Sequence, residues 1–86
     1  MSYTMKKPVR LEINNSGAWK MLGRFDAADD FGADIVLNAA EQLAQALVES
    51  GNRLTLRVSM AEPPHSELMH WNDPETGWRD ARGESA

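Results

Sequence analysis

Residues 33–51 read ADIVLNAAEQLAQALVESG. They are the one long helical pattern in the chain, and what stands on either side of them decides the fold. On a wheel at about 100° per residue, Asp34, Asn38, Glu41, Gln42, Gln45 and Glu49 gather in an arc of about 100°, and everything apolar falls in the rest. Val36, Ala40, Leu43 and Leu47 mark the centre of that apolar arc. Leu37, Ala44 and Val48 lie on one flank, Ile35, Ala39 and Ala46 on the other. The spacing predicts a helix from Ala33 to Ser50, ended by Gly51. A helix that covers one sheet needs an apolar stripe of roughly 100° or a little more. This arc is about twice as wide, so the Leu37/Val48 flank is expected to meet a second surface, another copy of the chain being the first choice.

Just before the helix, residues 26–34 read DAADDFGAD. Negative charge is favoured at a helix start, and Asp29 or Asp30 is placed to cap the first turn. The run lacks the alternating oxygen-ligand spacing of a calcium loop, so capping is preferred to metal binding.

Both sides of the helix read as strands. Val9–Ile13 alternates, with Val9, Leu11 and Ile13 on one face and Arg10 and Glu12 on the other. Asn14-Asn15-Ser16-Gly17 is a turn, because Asn and Gly tolerate positive φ. Ala18–Phe25 returns, and strict alternation puts Trp19, Met21, Gly23 and Phe25 on the buried face and Lys20, Leu22 and Arg24 on the other. After the helix, Arg53–Met60 alternates with Leu54, Leu56, Val58 and Met60 inward. Residues 61–67 hold Pro63-Pro64 and read as a loop. Leu68–Trp71 is a short strand, Asp73-Pro74-Glu75-Thr76-Gly77 a turn, and Trp78-Arg79-Asp80 the return.

The expected fold is therefore α+β: a two-layer β-β-α-β-β domain, its antiparallel sheet of four or five strands carrying one helix on one face. The domain spans residues 8–80, with tails at 1–7 and 81–86. The second sheet face receives no layer from this chain. It must be polar enough for water, or a partner must cover it.

Composition narrows the function classes. The 86 residues include no cysteine, so disulfides and thiolate metal sites are out. The first residues do not form a secretory signal and no stretch reaches the roughly 20 apolar residues of a membrane span, so a soluble, cytoplasmic protein is expected, with no membrane partner. The net charge of −4 argues against general affinity for polyanions. The charge is unevenly laid out, however. Of the outward strand residues Arg10, Glu12, Lys20, Leu22, Arg24, Arg53, Thr55, Arg57 and Ser59, five are basic and one acidic. The helix and the turn before it carry Asp29, Asp30, Asp34, Glu41 and Glu49 with no cation.

Chemistry-bearing motifs are absent. No Gly-rich phosphate loop and no nucleophile with a base beside it can be read, and no catalytic, cofactor or metal residue is assigned. His65 and His70 lack helical ligand spacing, so a metal or enzyme site around His70, Asp73 and Glu75 ranks last. Trp71 and Trp78 flank the last turn. With Asp73 opposite Trp78, the rings share a face as diagonal neighbours; with Asn72 opposite Trp78, they lie on opposite faces. An exposed ring there would be a contact hot spot.

The function expected is a non-catalytic protein-interaction or regulatory module, self-associating as a homodimer through Leu37 and Val48. Arg10, Arg24, Arg53, Arg57, Trp71 and Trp78 are the candidates for binding a partner. A nucleic-acid accessory role for the basic face is the alternative, and it ranks lower because strict alternation places the strand-two aromatics on the buried side.

Overall fold

The computed structural model describes residues 5–80. Of the tails expected at 1–7 and 81–86, residues 1–4 and 81–86 lie outside the described residues. The elements are β1 (Pro8–Asn14), β2 (Trp19–Asp26), α1 (Asp30–Glu49), β3 (Thr55–Met60), β4 (Glu67–Trp71) and β5 (Trp78–Asp80). The strands form one sheet in the order β2-β1-β3-β4-β5, with every neighbouring pair antiparallel. The expected α+β fold with five strands and one helix is thus the fold observed.

Because β2 and β3 both run against β1, they run parallel to each other with β1 between them. A parallel pair cannot be joined by a tight turn and needs a crossover of about a dozen residues or more. Helix α1 is that crossover, which is why the long apolar pattern falls between the two halves of the sheet.

The helix begins three residues earlier than its periodicity suggested. The Asp29 side chain accepts a hydrogen bond from the Gly32 N–H at 3.1 Å, so the cap sets the start and the apolar period does not. At the other end Gly51 takes φ +97°. Its N–H reaches Val48 O and that of Asn52 reaches Leu47 O, both at 3.0 Å, which closes the last turn in a Schellman arrangement.

Strand β3 starts at Thr55 rather than Arg53. Its neighbour β1 ends where Asn14 faces Thr55, so the residues before it have no ladder to join. Leu54 is buried all the same.

The largest departure from strict alternation is in β2. Leu11 faces Gly23, but the next residue, Glu12, faces Met21. Leu22 is the extra residue of a β-bulge, and a bulge reverses which face the following side chains take. Phe25 stays on the helix side, where it is buried. Trp19 and Met21, expected in the core, move with Asn14 and Glu12 to the face away from α1. Leu22 moves the other way and lines an aliphatic dent with Leu43 and Leu47 of the helix.

The core lies between α1 and the sheet in two adjoining clusters. Val9, Leu11, Phe25 and Val58 anchor one; Ala44, Leu54, Leu56 and Trp71 anchor the other. Ala40 and Trp78 touch both. The start of the chain is tied in by Asp26, which is buried. Its Oδ1 accepts from the N–H groups of Lys7 at 3.0 Å and Ala28 at 2.9 Å, and its Oδ2 from Lys6 at 3.3 Å. Lys6 and Lys7, read from sequence as tail, are held at the backbone.

Candidate functional site

The sheet face turned away from α1 is uncovered by any other element of the described residues, and the strand registers place its side chains in rows. One row runs Arg24, Arg10, Ser59, Glu67 across β2, β1, β3 and β4. The next runs Met21, Glu12, Arg57, His70, Arg79 across all five strands. Trp19, Asn14 and Thr55 form a third. Strand pairing alone brings these residues together, since they come from positions 10 to 79 of the chain.

Glu12 is the hub of the face. It is buried, and its Oε1 accepts from Ser59 Oγ at 2.7 Å and from Arg57 Nε at 3.0 Å, with Arg10 Nη2 at 3.6 Å. Burial pushes the Glu12 carboxyl up. The hydrogen bonds from Arg57 and Ser59, with the charges of Arg57 and Arg10, outweigh it and hold the group below the usual carboxylate range. One buried carboxylate thus orients two guanidinium groups. The Arg57 guanidinium also lies over the Trp19 ring, 4.1 Å from its centroid, a cation–π stack. Arg10 Nε is buried without a hydrogen-bond partner. His70 Nδ1 is 3.7 Å from Glu67 Oε2.

The charge that results is positive. Arg10, Arg24, Arg57 and Arg79 are set against Glu12 and Glu67, and Glu12 is already shared by two of the four cations. The acidic residues of α1 sit on the other layer.

Of the residues singled out from sequence, Arg10, Arg24 and Arg57 are on this face. Arg53 precedes β3 and belongs to no strand row; it lies exposed at the end of the sheet, lining a shallow recess with Asn14, Gly17 and Thr55. Trp71 and Trp78 lie on the helix side of the sheet, where Trp78 is only partly buried. They face each other directly across β4 and β5, a register other than the two read from the turn. Trp71 is fully buried. Its Nε1 donates to Glu41 Oε2 at 3.2 Å, and Trp78 Nε1 donates to Leu37 O at 3.0 Å. Leu37 and Val48 are half-buried against the chain's own core, so the β4–β5 hairpin covers that flank of the helix.

The apolar surface that remains in solvent is on the opposite flank. Ile35 and Leu43 are more than half exposed and Phe31 is 78% exposed. Leu43 meets Leu22 in the dent between α1 and β2, so this flank overhangs the edge strand.

Sequence reasoning missed Trp19, Met21, His70 and Arg79 as members of the open face. For β2 a signal existed: two adjacent apolar residues, Met21-Leu22, followed by Gly23 break strict alternation, and glycine inside a strand often marks a bulge. His70, Asp73 and Glu75 do not assemble into a metal site, and no cluster of three or more possible ligands exists among the described residues. The Asp73 carboxylate instead accepts the Thr76 N–H at 2.9 Å within the turn, which holds it below the usual carboxylate range. No helix is long and apolar enough to cross a membrane among the described residues.

Comparison with known proteins finds no family model, no curated protein and no solved structure that matches this chain.

Proposed function

We propose that the protein is a non-catalytic interaction module that acts as a homodimer, joined along the β2 edge and the flank of α1 above it. One observation carries this reading. The large apolar side chains left in solvent among the described residues, Met21, Leu22, Phe31, Ile35 and Leu43, all belong to β2 or α1. Leu22 and Leu43 meet on the helix side of the edge strand, while Met21 lies on its other face. Scattered exposed apolar residues are ordinary, but their concentration on one edge strand and the helix beside it marks a contact surface.

A second copy fits this surface better than an unrelated protein for two reasons. The edge strand β2 is eight residues long, and its outward N–H and C=O groups form a row that another strand satisfies. The flank of α1 with Ile35, Ala39 and Ala46 carries no charge, and neither does Leu43 beside it, while Asp34 and Glu41 project from the far side and Glu49 borders the flank only at the last turn. Two acidic helices can therefore approach flank to flank with few opposing carboxylates. With a two-fold axis between Leu22 and Gly23, Lys20 and Arg24 of one copy face Phe25 and Met21 of the other, so the edge cations do not collide.

Light scattering over a wide dilution series tests the proposal. The expected mass is near twice the 9.6 kDa of the chain, and it falls to one chain in Ile35→Lys and Leu43→Lys. Both side chains are more than half exposed, so the variants keep their fold, which circular dichroism checks. A wild-type monomer at every concentration overturns the reading.

A further inference from the structure

We infer that the open sheet face binds single-stranded nucleic acid, with the Trp19–Arg57 stack as a platform for bases and Arg24, Arg10 and Arg79 as phosphate contacts. The inference stands on the face of the sheet and not on the dimer, and it holds for a monomer as well.

Three features lead there. The first is the bulge at Leu22, which delivers an aromatic ring to a face where arginines outnumber carboxylates. Single strands are held by aromatic or guanidinium planes on which bases stack, together with cations that follow the backbone. Here both kinds of plane are already stacked on each other at 4.1 Å, and the Arg57 guanidinium is fixed by Glu12.

The second is the supply of cations. Arg24 and Arg79 make no side-chain hydrogen bond or short ion pair among the described residues; Arg79 feels the charge of Asp73 in the adjoining turn, and both guanidinium groups keep their donors for a phosphate. Arg10 stands directly opposite Arg24, a like-charged pair that an anion between them would relieve. Net negative charge does not forbid this, because the carboxylates of α1 lie a full layer away. A separation of about 10 Å is already a Debye length at 0.1 M salt.

The third is shape. Five strands at about 4.8 Å spacing put Arg79 roughly 19 Å across the sheet from β2. Trp19 and Arg24 are at most about 16 Å apart along β2. That is room for several nucleotides on a flat surface. Nothing projects from the face to enter a duplex groove, which admits a helix or a two-stranded ribbon. An acidic peptide would use the arginines but leave the ring plane idle.

The test uses the full chain and a fluorescein-labelled dT12 oligonucleotide at 20 mM and 200 mM NaCl. The expected result is a rise in anisotropy with quenching of tryptophan emission, since Trp71 and Trp78 are tied into the core and Trp19 is the tryptophan on the face. Binding should weaken with salt, each lost phosphate contact lowering the slope by about 0.7. Trp19→Ala should weaken it by about 5- to 100-fold. The double variant Arg24→Ala/Arg79→Ala should keep the fold and flatten the salt dependence. No binding at 20 mM salt overturns the inference. So does wild-type affinity in both variants, or equal affinity for duplex DNA, polyphosphate or polyglutamate.

Discussion

Trp71 and Trp78 stand directly opposite each other across β4 and β5, and both donate their indole N–H to the same helix, one to Glu41 and the other to Leu37 O. The pair closes the core on the β5 side and fixes how the helix lies on the sheet. An aromatic pair of this kind contributes area as well as direction, because each ring has one polar atom that must find a partner when buried.

Removing the two donors separately should give unequal costs. Trp71→Phe keeps a ring in the core but leaves the Glu41 carboxylate without its indole partner, and should cost about 1–2 kcal/mol. Trp71→Ala opens a cavity at a fully buried site and should cost about 3–5 kcal/mol, a large part of what so small a domain has. Trp78→Phe should cost less than Trp71→Ala, because the carbonyl it serves belongs to the helix ladder. Urea unfolding followed by circular dichroism checks the order.

The last turn depends on one backbone conformation. Gly77 has φ +64°, and a Cβ there would come within 3.0 Å of Glu41 Oε2. Gly77→Ala should destabilise by about 1–2 kcal/mol, through the left-handed backbone and through pressure on the acceptor of Trp71. In a Glu41→Ala background the second contribution should vanish, so the double-mutant cycle should show coupling.

Glu12 predicts the acid limb of stability. Its folded pKa lies below the usual carboxylate value, so on acidification the unfolded chain takes up the proton first. The stabilisation is fully present above the ordinary carboxylate pKa of about 4.3 and is lost as pH falls through the depressed folded value. Thermal melts from pH 7 to 3 should show wild type losing stability more steeply below pH ~4.5 than Glu12→Gln. At pH 7 Glu12→Gln should be less stable by about 1–3 kcal/mol, since Arg57 and Ser59 keep an acceptor but lose its charge. Parallel melts of both proteins across the range would contradict the argument.

Asp26 gathers three backbone donors, two on its Oδ1. Asp26→Ala should cost about 2 kcal/mol or more by leaving N–H groups of a part-buried corner unpaired. Asp26→Asn keeps one oxygen for Lys7 and Ala28 and should lose less than half of that. Amide exchange at Lys7 and Ala28 should accelerate in the alanine variant and stay near wild type in the asparagine one.

Amide exchange also examines the proposed dimer. In a β2–β2 pairing, the β2 amides that do not bond to β1 become slow to exchange at high protein concentration and fast on dilution. Uniformly fast exchange of those amides at high concentration would argue against the strand edge as the seam.

Much of this fold was legible because its signals are local. The helix needed only its period, an aspartate before it and a glycine after it. The alternation of Leu54, Leu56 and Val58 identified β3, and Asn14 to Gly17 marked the first turn. The basic residues Arg10, Arg24 and Arg57 were placed on the open face because each lies where simple alternation still holds. What misled was any inference that carried alternation across a strand. Trp19 and Met21 were assigned to the core by counting back from Phe25, and one bulged residue between them and Phe25 reversed the result.

By itself, then, the sequence determined the order of elements, the helix and its cap, the class of the fold and the separation of acidic helix from basic sheet. These follow from periodicity, turn chemistry and charge, which act over a few residues. The tertiary structure alone decided the Trp71–Trp78 register, the flank of α1 that stays in solvent, and the presence of Trp19 beside Arg57. Each of these turns on which strand lies next to which, and by how many residues it is shifted. A side-chain period of two makes every shift of one residue a change of face, and only the packed neighbours select the shift.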